Sequence, residues 1–300
     1  MRGDGDGSRC SFRVEDSLLP SPNLPLDDGG WEQAGFKPKT IDISERQSSP
    51  QTTRPGSQII KAMAEAKIMA EITNKLSSFD IRNCSPYPET KYGFKRAAVL
   101  LPLMLKNDEL YLLLTKRSKN MRNHPSTVSF PGGMREENDL SDVDTALREA
   151  QEEIGLKPNT VQIVAVLTRG ITLPNTIVYP VVGIIPNDFV PIPNPVEVDY
   201  TIVVPLKTFL DPKCVRYSEF KFRGISIVNR SVFHQDEVHG VEIVWGFTAN
   251  YCTFLAKIIL ENEDFLAIFN DSTYPLQNMA SDLVEYFDFI TSTSAVNSKL

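Results

Sequence analysis

The stretch F-P-G-G-M-R-E-E-N-D-L-S-D-V-D-T-A-L-R-E-A-Q-E-E-I-G-L, Phe130 to Leu156, divides into a loop and a helix, and the rest of the chain is organised around it. Pro131, Gly132 and Gly133 predict a turn where backbone approaches a ligand closely. Ser141 predicts a helix N-cap, with Asp144 three residues later as a shortened capping-box partner. Gly155 stands where a left-handed C-terminal cap belongs. The helix between them, Asp142–Ile154, carries Val143, Leu147, Ala150 and Ile154 in one narrow stripe, which predicts their burial. Glu149, Glu152 and Glu153 fall on a different face, at i, i+3 and i+4. Three carboxylates so placed repel one another unless a cation is shared between them. Magnesium fits, being a hard cation that takes oxygen ligands and keeps several waters. Arg148, four residues before Glu152, is placed to neutralise and orient part of the cluster. An isolated E-x-x-E-E is ordinarily a solvated acidic face. Here F-P-G-G and an acidic loop precede the same helix, which favours the metal reading.

Working outward, a compact domain is predicted from Lys95. Ala97–Leu105 and Glu109–Thr115 read as strands joined by a hairpin turn at Asn107-Asp108. Val161–Thr168, Val178–Ile185, Tyr200–Pro205 and Val241–Trp245 read as further strands, Thr248–Glu261 as a helix, and Asn278–Ile290 as a shorter apolar-periodic segment. Strands and helices mixed this way predict an α/β layered domain. Upstream, residues 1–57 are rich in Gly, Pro, Ser, Asp and Gln without sustained periodicity and are expected to be disordered. A helix is expected over Ile59–Leu76, its stripe formed by Ile60, Met63, Ala64, Ile68 and Ile72. Ser77–Tyr92 is an irregular lead-in. The expected organisation is therefore 1–57 disordered, 58–94 helix and lead-in, 95–290 domain, and 291–300 tail.

The bulk composition excludes several function classes. A formal net charge of -7 argues against nucleic acid, whose binding needs a basic footprint. The longest apolar run, Ala97–Leu105, contains Pro102 and is too short to span a bilayer. The first twenty residues carry Asp4, Asp6, Glu15 and Asp16 and no apolar h-region, so no secretory signal is expected. Cys10, Cys84, Cys214 and Cys252 are scattered without a C-x-x-C pair, which favours reduced thiols in an intracellular compartment over zinc or disulfides.

R-E-A-Q-E-E-I-G-L, Arg148 to Leu156, resembles the second half of the Nudix box, G-x5-E-x7-R-E-U-x-E-E-x-G-U, where U is apolar. Counting back from Arg148 puts the box glycine on Met134 and the box glutamate on Leu140. A one-residue insertion restores Gly133 and puts Asp139 in the acidic slot. Nudix coenzyme A diphosphatases show the same longer loop. Their upstream signature, roughly L-L-T-x-R-S-x-x-L-R-x-H-x-G-x-V-x-F-P-G-G, is similar to L-L-T-K-R-S-K-N-M-R-N-H-P-S-T-V-S-F-P-G-G from Leu113 to Gly133. Ser126 stands where that signature has glycine. P-N-P-V-E-V (Pro193–Val198), V-P-L (Val204–Leu206) and G-F-T-A-N (Gly246–Asn250) resemble segments of the peroxisomal members.

The resemblance implies an α/β/α sandwich around a mixed β-sheet, and hydrolysis of the diphosphate bond of coenzyme A or acyl-CoA with Mg2+ or Mn2+. Glu149 and Glu153 would bind the metal, Glu152 would complete the cluster or help activate water, and Arg148 would hold its neighbours in place. Another Nudix pyrophosphohydrolase, or a catalytically silent coenzyme A-binding module, are the alternatives. Arg117, Arg122, His124, Gly132 and Gly133 are the candidate substrate contacts. Lys116, Arg117, Lys119 and Arg122 crowd within seven residues just before the loop, and guanidinium groups bind phosphate bidentately; a solvated charged turn is the alternative. His124 is either a phosphate contact or proton donor, or a structural pin for the loop. Glu197, in a Pro-rich loop, is either a contact to metal or water, or a turn residue. Ser298-Lys299-Leu300 reads as a peroxisomal address recognised by an import receptor.

Overall fold

A computed structural model of the chain describes residues 55–83, 94–172, 176–222 and 225–260. The apolar segment Asn278–Ile290, the tripeptide Ser298-Lys299-Leu300, nearly all of residues 1–57, and the cysteines Cys10 and Cys84 lie outside these.

The elements in chain order are α1 (Pro55–Ser77), β1 (Lys95–Lys106), β2 (Glu109–Arg117), β3 (Val128–Ser129), β4 (Gly132–Met134), α2 (Asp142–Ile154), β5 (Gln162–Val166), β6 (Gly170–Thr172), β7 (Thr176–Ile184), β8 (Val198–Pro205), β9 (Val215–Phe222), β10 (Ile225–Asp236), β11 (Gly240–Trp245) and α3 (Gly246–Leu260). The central sheet runs β3-β2-β1-β7-β5, with β4 on β1, β6 on β7 and β8 on β2. It is mixed: β1 and β7 are parallel, and the other pairings are antiparallel. A separate antiparallel ribbon has the order β11-β10-β9.

The two-residue period of a strand sorts the core. Along β1, Leu101, Leu103 and Leu105 enter one apolar cluster with Ile72 and Leu76 of α1 and Ala249, Cys252 and Leu255 of α3. Ala98, Leu100 and Met104 enter another with Ala146, Ala150 and Ile154 of α2. Helices therefore cover both faces, which is the expected α/β/α layering. Full burial of a side chain such as Ile154 is worth about 1.5–3 kcal/mol. The β1–β2 hairpin turns at Asn107 and Asp108, both at positive φ (51° and 61°), as a two-residue primed turn requires.

Two expectations are corrected, and two strands were not foreseen. The buried stripe of α1 is Ile72 and Leu76, flanked by half-buried Ile68 and Met69, whereas Met63 is 68% exposed and Ala64 is exposed. Over the described side chains the apolar face thus begins at Ile68, past Met63 and Ala64, and the Ile60 side chain lies outside the described residues. Gly132-Gly133 is a strand paired with β1, with Ala98 opposite Gly133 and Val99 opposite Gly132, and is no turn. Turn propensity lost because two glycines let β4 run against β1 and under α2. A Cβ on Gly132, at φ 152°, would lie 2.5 Å from the Ala98 carbonyl oxygen. β9 and β10 went unforeseen; among the described side chains Tyr217 is 63% exposed, while Val232 and Val244 are buried.

Candidate active site

α2 forms where its caps demand. Asp144 N donates to Ser141 Oγ at 3.2 Å, and the Ser141 hydroxyl donates in turn to the Asp144 carboxylate at 2.8 Å. At the other end Gly155 adopts φ 72°, and its N–H and that of Leu156 reach the carbonyls of Gln151 and Ala150. Ala146, Ala150 and Ile154 are buried against the sheet, with Val143 and Leu147 half-buried beside them.

Successive helix residues are about 100° apart, so Glu152 and Glu153 cannot face the same way. Glu153 is 2% exposed on the margin of the buried stripe. Its Oε2 accepts the Gly132 N–H at 3.3 Å. Glu149, one turn earlier, packs so tightly on β4 that a Cβ at Gly133 would lie 2.5 Å from its Oε1. The third carboxylate beside them is Glu197, one oxygen from each residue lying within 4.8 Å of the others. Glu152 is outside this group. It lies at the solvent edge, taking Arg148 Nη1 at 3.0 Å.

Glu197 arrives on a loop fastened at both sides. Ile192 N and Asn194 N donate to the carbonyls of Ile154 and Glu153 at the end of α2, and Ser118 N donates to the Glu197 carbonyl at 2.8 Å. The P-N-P-V-E-V run was the available signal for it. A turn residue and a ligand look alike in such a loop until the ends of α2 and β2 are brought together.

Arg148 is a scaffold for the helix face. Its Nε and Nη2 form a two-pronged contact with Asp139 at 3.0 Å each, Nη2 also reaches the Met134 carbonyl at 2.9 Å, and Nη1 reaches Glu149 at 3.1 Å. Asp139 further accepts Thr145 Oγ1 and the Glu136 N–H at 2.9 Å each. These donors, Arg148 first, hold the Asp139 carboxyl well below the usual carboxylate range. The residue in the acidic slot of the sequence pattern thus anchors the arginine and is not one of the grouped carboxylates.

Burial sets the proton affinity of Glu153 and Glu149 above the ordinary glutamate range. Burial pushes the Glu153 carboxyl up to about 8, opposed by Arg117 and reinforced by Glu149. Burial also raises Glu149, against the pull of Arg148. Crowded, desolvated carboxylates of this kind are what a divalent cation relieves, and an all-oxygen donor set suits Mg2+ or Mn2+.

The basic cluster is divided by strand alternation. Arg117 lies on the α2 side, near enough to Glu153 to lower its affinity for a proton, and its buried Nε has no hydrogen-bond partner among the described residues. Lys116 points the opposite way, to Glu242 of β11 at 2.6 Å. Lys119, Arg122 and His124 are exposed on the following loop, and among the described residues no hydrogen bond or ion pair joins Arg122 or His124 to the carboxylates. The loop is shaped by His124 and Ser126, both at positive φ (51° and 56°), and by Thr127 Oγ1 donating to the His124 carbonyl at 2.8 Å. The left-handed conformation at Ser126 accounts for a glycine at that position in the similar signature.

Gly133→Ala is expected to displace the Glu149 carboxylate while sparing the fold, because the atoms it meets are the far end of a flexible side chain. Turnover should fall by roughly 10²-fold, the cost of a misplacement of about 1 Å, with the urea midpoint little changed. Unaltered turnover would mean that the contact between Glu149 and β4 is idle.

A family model described as a NUDIX domain matches residues 94–209. The peroxisomal coenzyme A diphosphatase NUDT7 of Mus musculus is 37% identical over 165 residues, 55% of this chain and 70% of that protein. Nudix hydrolase 15, mitochondrial, of Arabidopsis thaliana is 39% identical over 172 residues, 56% of this chain and 59% of that protein. An uncharacterized Nudix hydrolase, NudL, of Photorhabdus laumondii is 32% identical over 189 residues, covering 63% of this chain and 98% of that protein.

Proposed function

The chain belongs to the Nudix hydrolases, and on that premise we propose that it hydrolyses the diphosphate bond of coenzyme A and its thioesters, giving 3′,5′-ADP and 4′-phosphopantetheine or its acyl form. The observation that carries the reading is the convergence of Glu149, Glu153 and Glu197 beside Arg117. The substrate assignment is supported by the resemblance of Leu113–Gly133 to the upstream signature of coenzyme A diphosphatases and by the name of the mouse relative.

Glu149, Glu153 and Glu197 would hold Mg2+ or Mn2+. A bound divalent ion supplies charge neutralisation at the diphosphate and a nucleophilic water at neutral pH. The chain does the rest. Arg148, braced by Asp139, fixes the rotamer of Glu149. The Gly132 N–H orients Glu153. Arg117, with its enclosed and unpartnered Nε, offers a donor to phosphate oxygen on the α2 side of the sheet. Arg122 and His124, exposed on the 118–127 loop, would meet the outer phosphate or the nucleotide.

Removal of metal gives this site a pH signature. In the folded chain Glu153 holds its proton up to about pH 8, whereas an unfolded glutamate releases it near 4.5. The stabilising difference is complete below the unfolded value and is lost as pH rises through the folded one, amounting to on the order of a few kcal/mol. Thermal melts in chelator should therefore fall across that interval, and Mn2+ should flatten or reverse the fall, since binding displaces the proton. Identical slopes with and without metal would remove Glu153 from the site.

Peroxisomal location belongs to the same proposal. It is supported by the mouse relative, named as peroxisomal; the Arabidopsis relative is named as mitochondrial. Among the described residues no helix is long and apolar enough to cross a membrane.

Incubation of the purified chain with coenzyme A and Mg2+ or Mn2+, followed by mass spectrometry, tests the activity. The expected products are 3′,5′-ADP and 4′-phosphopantetheine. Cleavage of another nucleoside diphosphate derivative with coenzyme A untouched, or binding without products, would overturn the substrate assignment.

A further inference from the structure

We infer that Glu242, on the ribbon strand β11, is a positioning residue for the carboxylate site and acts through Lys116 and Tyr200. The inference rests on the reading of Glu149, Glu153 and Glu197 as a metal-holding group.

Glu242 is 4% exposed, and its carboxylate takes Lys116 Nζ at 2.6 Å and the Tyr200 hydroxyl. Lys116 of β2 and Tyr200 of β8 are cross-strand partners, so one carboxylate grips both members of a single rung. That rung is the last regular one. At the next step the register slips: Arg117 faces Val198, and Asp199 is the extra residue of a bulge. Immediately past the slip, Arg117 comes within electrostatic reach of Glu153, and Ser118 N binds the Glu197 carbonyl. Arg117 and Glu197 therefore enter the site from backbone that leaves the sheet just beyond the gripped rung.

A bulge bends its strand and re-aims the side chains that follow, and its direction is only as fixed as the pair before it. The grip is itself braced. The Tyr200 ring is stacked on His239 at 3.7 Å between centroids, and His239 Nδ1 lies 2.9 Å from Asp236 Oδ1. Stability alone does not call for a charge there. Val232 and Val244 beside it in the ribbon are buried and apolar, and well-packed apolar groups generally stabilise as much as a buried ion pair does. What the pair supplies in addition is a defined position for the Lys116–Tyr200 rung.

The test is the affinity of the 300-residue chain for Mn2+, measured by electron paramagnetic resonance without substrate. Glu242→Ala should weaken Mn2+ binding about tenfold, the usual scale for losing a group that orients metal ligands. Tyr200→Phe, a milder change that keeps the ring stack, should weaken it by a smaller factor in the same direction. Glu242→Gln, which still bonds Lys116 and Tyr200, should recover most of the loss. Circular dichroism establishes that each variant is folded. Wild-type Mn2+ affinity in folded Glu242→Ala and Tyr200→Phe would overturn the inference. A wild-type chain that binds Mn2+ but leaves coenzyme A intact would overturn the substrate assignment and leave this result standing.

Discussion

Glu153→Gln should lower turnover by on the order of 10³-fold or more, a loss of about 4 kcal/mol of transition-state stabilisation, and leave the chain folded. The size follows from position. Glu153 is the innermost of three carboxylates, 2% exposed, oriented by the Gly132 N–H and charge-coupled to Arg117. A glutamine keeps the shape and accepts the same hydrogen bond, so packing is preserved while the anionic oxygen is lost. The metal-free variant should be more stable than wild type toward pH 8, because a neutral amide replaces a carboxyl that resists ionisation there. Wild-type turnover in a folded Glu153→Gln protein would dismiss the carboxylate trio as the seat of the chemistry.

Asp139→Ala should produce the largest loss of stability among the site variants, about 3–5 kcal/mol in urea unfolding, the range for removing one partner of a buried ion pair. The Asp139 side chain is 5% exposed, and its removal takes from Arg148 Nε and Nη2, the Thr145 hydroxyl and the Glu136 N–H the one acceptor they share. The Asp139 carboxyl is held below its ordinary value, so its contribution is present above the unfolded value of 3.8 and disappears as pH falls through the lower folded one. Wild type should therefore lose stability steeply in acid, and the variant should lack that part of the slope. Turnover should fall as well, because Arg148 no longer fixes Glu149. A loss below about 1 kcal/mol, the scale of an exposed pair, would contradict the anchoring role.

Much of this was legible in the sequence, for identifiable reasons. α2 was readable to its ends because cap, stripe and terminal glycine are all local signals, and Ser141 and Gly155 do what their residue types dictate. β1 and β2 were readable because they are long, apolar and joined by a two-residue turn that Asn107-Asp108 suits. Local signals fail where a position is decided by a distant partner. Gly132-Gly133 looks like a turn until β1 lies beside it. Glu152 and Glu153 are neighbours in sequence, yet one lies against Arg148 and the other under the sheet edge. Lys116 and Arg117 are adjacent cations sent to opposite faces by the strand. Glu197 could be weighed as ligand or as turn, and its company with α2 depends on backbone bonds from Ile192, Asn194 and Ser118 that no periodicity encodes.

The most direct measurement is Mn2+ binding to the wild-type chain and to Glu149→Gln, Glu153→Gln and Glu197→Gln, each confirmed folded. One tight site in the wild type, weakened at least tenfold in every one of the three variants, is the result that follows from carboxylates drawn together from α2 and the 186–197 loop. A tight site that survives all three substitutions would contradict it.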